Sequence, residues 1–280
     1  MKIVRLLAVL LPLLAGGIYF YDDALKLLET NGVGVEKPTP DPGIFTEETM
    51  SKFFAPQPKS FEYTEPESIG TEHKVMIPLA NKPSKSIERI YYSLGPTEGG
   101  PHSAVVLLHG IDRSGRSMLD MWQLLARKSG VVLLAPNAID GQGWTIDDRS
   151  VFINDALVAD AMLTYNIDPE RLFLAGHSAG GKMALSLANS GEGPWRAVEV
   201  HGADLGKTKP EPNMKAIPIL IHIGDADETF PLDEVRETAL GLSQAGHDVT
   251  LSIIPDHTHW YYAIGPRIAQ RTWESFQSID

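Results

Sequence analysis

Few folds accommodate the stretch Arg171-Leu172-Phe173-Leu174-Ala175-Gly176-His177-Ser178-Ala179-Gly180-Gly181. An apolar run enters a Gly-x-Ser-x-Gly turn, and a periodic segment from Lys182 through Met183, Ala184, Leu185, Leu187 and Ala188 leaves it. The spacing predicts a strand, a tight turn and a helix in direct succession. Gly176 and Gly180 let backbone segments approach where a Cβ would clash, so Ser178 can hold a strained conformation with its hydroxyl exposed. The free N–H groups of the following helix favour negative charge developing beside that hydroxyl. Ser178 is therefore a candidate nucleophile.

The rest of the chain repeats the alternation. Ala104 to Leu108, Val131 to Ala135, Leu172 to Ala175, Ala197 to Val200 and Ile217 to Ile223 are nearly continuous apolar runs, as expected of strands covered on both faces, and Val249 to Ile254 supplies a last strand. Helices are expected over Ser117 to Lys128, Phe152 to Tyr165, Lys182 to Ala188, Asp233 to Ala245 and Gly265 to Phe276. Two partly exposed strands, His73 to Leu79 and Ile87 to Leu94, precede them. The pattern predicts an α/β fold, a mostly parallel central sheet with helices on both faces.

A chain of 280 residues builds one large core, here assigned to 71–280. Before it, residues 24–70 carry Pro38, Pro40, Pro42, Pro56, Pro58 and Pro66 and read as a proline-rich linker or arm, which Ile44, Phe45, Phe53 and Phe54 pin to the domain. Residues 1–23 combine Lys2 and Arg5 with an apolar run from Leu6 to Tyr21, closed by Asp22 and Asp23. This reads as a signal peptide or an N-terminal membrane anchor, and the expected location is outside the cytoplasmic membrane: secreted, periplasmic or anchored to its outer face. A net charge of −12 gives no footprint for nucleic acid, and membrane attachment is expected through the N-terminal segment only. With no cysteine, disulfides, thiolate metal sites and cysteine nucleophiles drop out.

Parallel sheets react at the C-terminal ends of their strands. After Leu108 comes His109-Gly110-Ile111, where the glycine permits a turn that aims the Ile111 N–H into the crevice; with the Ala179 N–H it would make an oxyanion hole, while His109 suits loop support. Trp144, in the loop Asn137 to Asp148, is a candidate pocket wall, and Asp147 and Asp148 suit helix capping. His177 is too closely pinned beside Ser178 to be its base and is given a structural or pocket-lining role; Lys182 raises a Ser-x-x-x-Lys alternative. A triad acid would emerge in Gly224-Asp225-Ala226-Asp227: Asp227 is deeper in the loop, and Asp225 suits holding the turn. A triad histidine belongs in Pro255-Asp256-His257-Thr258-His259-Trp260, where His257 and His259 are both candidates. His-x-His beside Asp256 also invites a metal, but lacks a companion cluster. Trp260 is a further candidate pocket residue.

Together, His109-Gly110, Asp168-Pro169-Glu170-Arg171 with the Gly-His-Ser-Ala-Gly-Gly turn, Gly224 to Asp227 ending in Phe230-Pro231, and the histidine loop resemble the α/β-hydrolase superfamily. More narrowly, the chain resembles the group of polyhydroxybutyrate depolymerases and feruloyl or acetyl-xylan esterases, from about Val75 to Phe276. The resemblance implies an α/β-hydrolase fold with Ser178 as nucleophile, Asp227 as triad acid and His259, followed by the aromatic Trp260, as general base. It implies hydrolysis of small or polysaccharide-linked carboxylic esters without metal or organic cofactor. The disulfides frequent in secreted depolymerases are missing here. A serine peptidase and a catalytically silent hydrolase-like binding protein are the alternative readings.

Overall fold

The computed structural model describes residues 40–51, 60–79, 82–140, 143–212 and 215–279. The N-terminal basic-apolar segment, Leu25 to Leu28, Phe53 and Phe54 lie outside them. Residues 40–280 cluster as one compact unit. No helix among the described residues is long and apolar enough to cross a membrane.

The strands are β1 (Phe45–Thr49), β2 (Thr71–Leu79), β3 (Lys82–Leu94), β4 (His102–Leu108), β5 (Val132–Pro136), β6 (Ile167–His177), β7 (Ala197–His201), β8 (Ile219–Gly224) and β9 (Val249–Ile254). They form one sheet in the order β1-β9-β8-β7-β6-β4-β5-β3-β2. Every pairing from β1 to β5 is parallel; β3 joins β5, and β2 joins β3, antiparallel. The helices are α1 (Gly115–Ser129), the single turn α2 (Ile146–Asp148), α3 (Leu157–Ala161), α4 (Ala179–Ser190), α5 (Leu232–Gln244) and α6 (Gly265–Gln277).

Alternation along the buried strands divides the core into two layers. Val106, Leu108, Leu174, Val198, Val200, Ile221 and Ile223 point to one face, against Ala184 and Leu187 of α4 and Val235 and Leu242 of α5. Val105, Leu107, Leu133, Phe173 and Ala175 point to the other, against Met118 and Trp122 of α1 and Ile268, Trp273 and Phe276 of α6.

Two expectations change. The domain boundary drawn at 71 is too late, because β1, inside the supposed arm, pairs in parallel with β9 from Phe45↔Val249 to Thr49↔Ile253. Its sequence, Phe-Thr-Glu-Glu-Thr, shows little apolar patterning because an edge strand is held mainly by its backbone. Its side chains add polar ties: Glu47 pairs with Arg236, and Glu48 accepts from Ser252 Oγ at 2.7 Å. The helix expected over Phe152 to Tyr165 is instead a π-helical stretch, Arg149–Ala156, followed by the short α3. Phe152, Ile153 and Asn154 are buried in succession, a wider stripe than one α-helical face presents.

Candidate active site

β6 runs into α4 through Ser178, whose φ of 55° and ψ of −120° place a non-glycine residue in a strained region. Two close approaches permit the turn. A Cβ on Gly176 would lie 2.5 Å from the Gly180 backbone, and one on Gly180 would lie 2.2 Å from the Leu108 carbonyl oxygen. The turn is tied to β7 by the Ser178 N–H, which donates to the His201 carbonyl at 3.0 Å. Ala179 opens α4, so its N–H has no carbonyl one turn back.

His259, in the loop after β9, lies with Nε2 3.0 Å from Ser178 Oγ and Nδ1 2.8 Å from Asp227 Oδ2. The Asp227 carboxylate is fully buried, and its Oδ1 accepts the Thr229 and Phe230 N–H groups at 2.9 and 3.0 Å. With both of its oxygens accepting, Asp227 fixes the proton of His259 on Nδ1 and leaves the Nε2 lone pair toward the serine hydroxyl. The remaining loop candidates are engaged elsewhere. Asp225 Oδ1 accepts the Asp256 N–H at 2.7 Å, and His257 Nε2 lies 3.0 Å from His201 Nε2. Lys182 Nζ is 3.7 Å from Asp204 and faces the Phe230 ring.

An open cleft of about 720 Å³ surrounds this line. Gly110, Ile111 and Arg113 border it on one side, Ala226, Glu228 and Thr229 on another, and Phe61, Trp260 and Tyr262 supply an aromatic wall. His177 also reaches the cleft. Trp144 does not line it. Its Nε1 donates to the His109 carbonyl at 2.9 Å, so the indole braces the loop carrying Gly110 and Ile111 rather than walling a pocket. His109 is buried beneath that loop, with Nδ1 2.7 Å from the Gly110 carbonyl and Nε2 accepting the Ala138 N–H at 3.0 Å; burial pulls its pKa down. Asp148 is not a simple cap. Its carboxylate accepts from Thr145 N, Thr145 Oγ1 and Ile139 N and pairs with the buried Arg89, closing the loop 139–148.

Beneath the cleft lies a row of histidines. His177 and His201 face each other in register on β6 and β7, with Nδ1 atoms 3.2 Å apart, and His201 continues to His257. His177 stacks on Tyr261, its ring centroid 4.8 Å away, and stands 5.0 Å from that of His259. Burial holds His177 and His201 well below the usual imidazole range and pushes His257 down to about 4, so the row is neutral at pH 7. His222, in register with His201 on β8, pairs with buried Glu199 instead. Another Ser–His contact, His73 Nε2 to Ser93 Oγ at 2.7 Å, is a cross-strand pair between β2 and β3; Ser93 also meets Tyr165 Oη and neither residue lines the cleft. No group of three or more metal-ligating side chains occurs among the described residues.

Fold and site define a hydrolase of the α/β-hydrolase superfamily, with an arrangement that can bind a small ester. The chain belongs to the dienelactone hydrolase family, whose model matches residues 95–275. A search of the curated proteins gives no match. Among solved structures, the fold is similar to that of the esterase Est2 from Thermogutta terrifontis, with a TM-score of 0.55, 16% identity, and coverage of 76% of this chain and 93% of that one. It is similar to the Bacillus cereus carboxylesterase, with a TM-score of 0.54, 15% identity, and coverage of 69% and 95% respectively. The Pyrococcus horikoshii acylaminoacyl peptidase gives 0.54 at 16% identity, covering 74% of this chain and 41% of that one.

Proposed function

We propose that the protein is a serine carboxylic ester hydrolase acting through an acyl-enzyme. The observation that carries this reading is the hydrogen-bonded line Ser178–His259–Asp227 at the floor of an open cleft. His259 Nε2 takes the Ser178 proton as Oγ attacks the ester carbonyl, and Asp227 stabilises the imidazolium that forms. The N–H groups of Ile111 and Ala179 receive the oxyanion, Ala179 from the N-terminus of α4. His259 then protonates the leaving alcohol and activates water to release the acid. The chain's own groups carry each proton transfer. The cleft's openness suits a small ester and equally an ester group on a polysaccharide, in keeping with the likeness to depolymerases and feruloyl esterases. Export is part of the proposal, supported by the basic-apolar sequence of residues 1–23 and tested by fractionating cells that make the full chain.

The activity test is hydrolysis of a panel of 4-nitrophenyl esters, sugar acetates and peptide amides by the full chain, with Ser178→Ala and His259→Ala beside it. Ester turnover abolished by both substitutions is expected. Cleavage of the amides with silence on the esters would assign a peptidase, and silence throughout would leave a binding protein.

A further inference from the structure

β1 and β2 occupy opposite edges of the sheet. Because β1 runs parallel to β9, Met50 emerges at the end where Ser178 and His259 lie. Residues 60–65 reach that end, where Phe61 lines the cleft. They are fastened there by several contacts. The Tyr63 ring stacks on Tyr262, with centroids 4.1 Å apart and planes at 7°, and its hydroxyl donates to Asp120 of α1 at 2.8 Å. Arg113 sets its guanidinium against the Tyr63 and Tyr262 rings, 5.3 and 5.1 Å from their centroids, and donates to the Tyr63 carbonyl. Glu65 accepts from Ser114 N and Ser114 Oγ at 2.9 and 3.1 Å. Tyr63 and Glu65 thus clamp together the Ile111-to-Ser114 loop and the loop that carries His259.

Phe61 is what this fastening presents. It lines the cleft, meets Trp260 edge to face at 5.6 Å and leaves 62% of its surface exposed. Ile111, also on the cleft, is 52% exposed. Exposed large apolar side chains gathered at one concave site mark a place where an apolar group is received. Resting on the ester-hydrolase reading, we propose that residues 60–65 are part of the substrate site, and that Phe61 with Trp260 forms the subsite for a flat apolar group of the ester. An edge-to-face aromatic pair offers a ring-sized surface that a methyl group cannot cover.

The test uses the full chain and follows acid release by pH-stat from ethyl acetate, ethyl benzoate and phenyl acetate, comparing wild type, Phe61→Ala and Phe61→Leu. Phe61→Ala is expected to lower kcat/KM on at least one aromatic ester about tenfold more than on ethyl acetate, mainly through KM, with Phe61→Leu recovering part of the loss. The affected ester, benzoate or phenyl acetate, identifies whether acyl or alcohol group occupies the subsite. An equal change on all three esters, or no change, in an enzyme that hydrolyses them overturns the subsite alone. A wild type that hydrolyses none of them overturns the ester-hydrolase reading and the subsite with it.

Discussion

His177 Nδ1 lies within 3.3 Å of the His201 carbonyl oxygen as well as 3.2 Å from His201 Nδ1. A carbonyl only accepts, so His177 carries its proton on Nδ1. His201 then accepts on Nδ1 and donates from Nε2 to His257 Nε2. Each imidazole holds one proton, and the chain of donors has a single direction.

Such a row makes the fold sensitive to acid. The folded-state pKa values of His177 and His201 lie well below the ordinary 6.5 and that of His257 lies at about 4, so as pH falls through 6.5 the unfolded chain binds more protons. The stability they contribute is complete above pH 6.5 and is lost progressively as pH falls below it. The facing groups are His259, Asp227, Asp225, Arg113, His222, Tyr261 and Glu199; burial raises the Glu199 pKa, which acts in the opposite sense. Thermal unfolding is expected to show Tm falling by about 5 °C or more from pH 7 to pH 5, with a shallower fall in His257→Gln. A Tm independent of pH over that range would contradict the neutral row.

Asp227→Asn tests the tautomer of His259. The Thr229 and Phe230 N–H groups keep the amide oxygen on their side and turn the amide nitrogen toward His259. That donor forces the imidazole proton onto Nε2, where it cannot accept from Ser178. Steady-state kinetics on a reactive ester should show kcat falling about 10⁴-fold with KM little altered.

Trp144→Phe removes one hydrogen bond from beneath the Gly110-Ile111 loop while keeping an aromatic ring against His109. Losing a single neutral bond of about 1 kcal/mol should lower kcat about fivefold. An unchanged kcat would mean that the loop keeps its place without the indole.

Asp148→Ala leaves the Arg89 guanidinium buried without its carboxylate, retaining the Asn137 carbonyl and the face of Phe152. Urea unfolding should register a loss of about 3–5 kcal/mol. Arg89→Met, which removes the charge and leaves Asp148 its Thr145 and Ile139 donors, should cost less than half as much.

The central strands and the helices around them were legible because continuous apolar runs have few other uses. Ser178, Asp227 and His259 were legible as candidates because each follows a strand that the sheet aligns. β1 was not, since an edge strand of threonines and glutamates carries no apolar alternation. Trp144 could be placed in its loop but not aimed, because what an indole braces depends on the long-range partner of its N–H. The histidine row escaped for a different reason. His177 and His201 each stand at the end of an apolar run, and in-register parallel pairing puts them at one level of the sheet. That recurrence was readable, but each residue seen singly resembles an ordinary strand-end histidine.

The direction of β1 settles how the molecule can be held. Gly43 and Ile44 hydrogen-bond to Ser243 and Asp248, ahead of β9, at the end of the sheet opposite Ser178. A surface coupled chemically beside Pro40 would therefore carry the protein with its cleft facing outward, open to diffusing or particulate substrate.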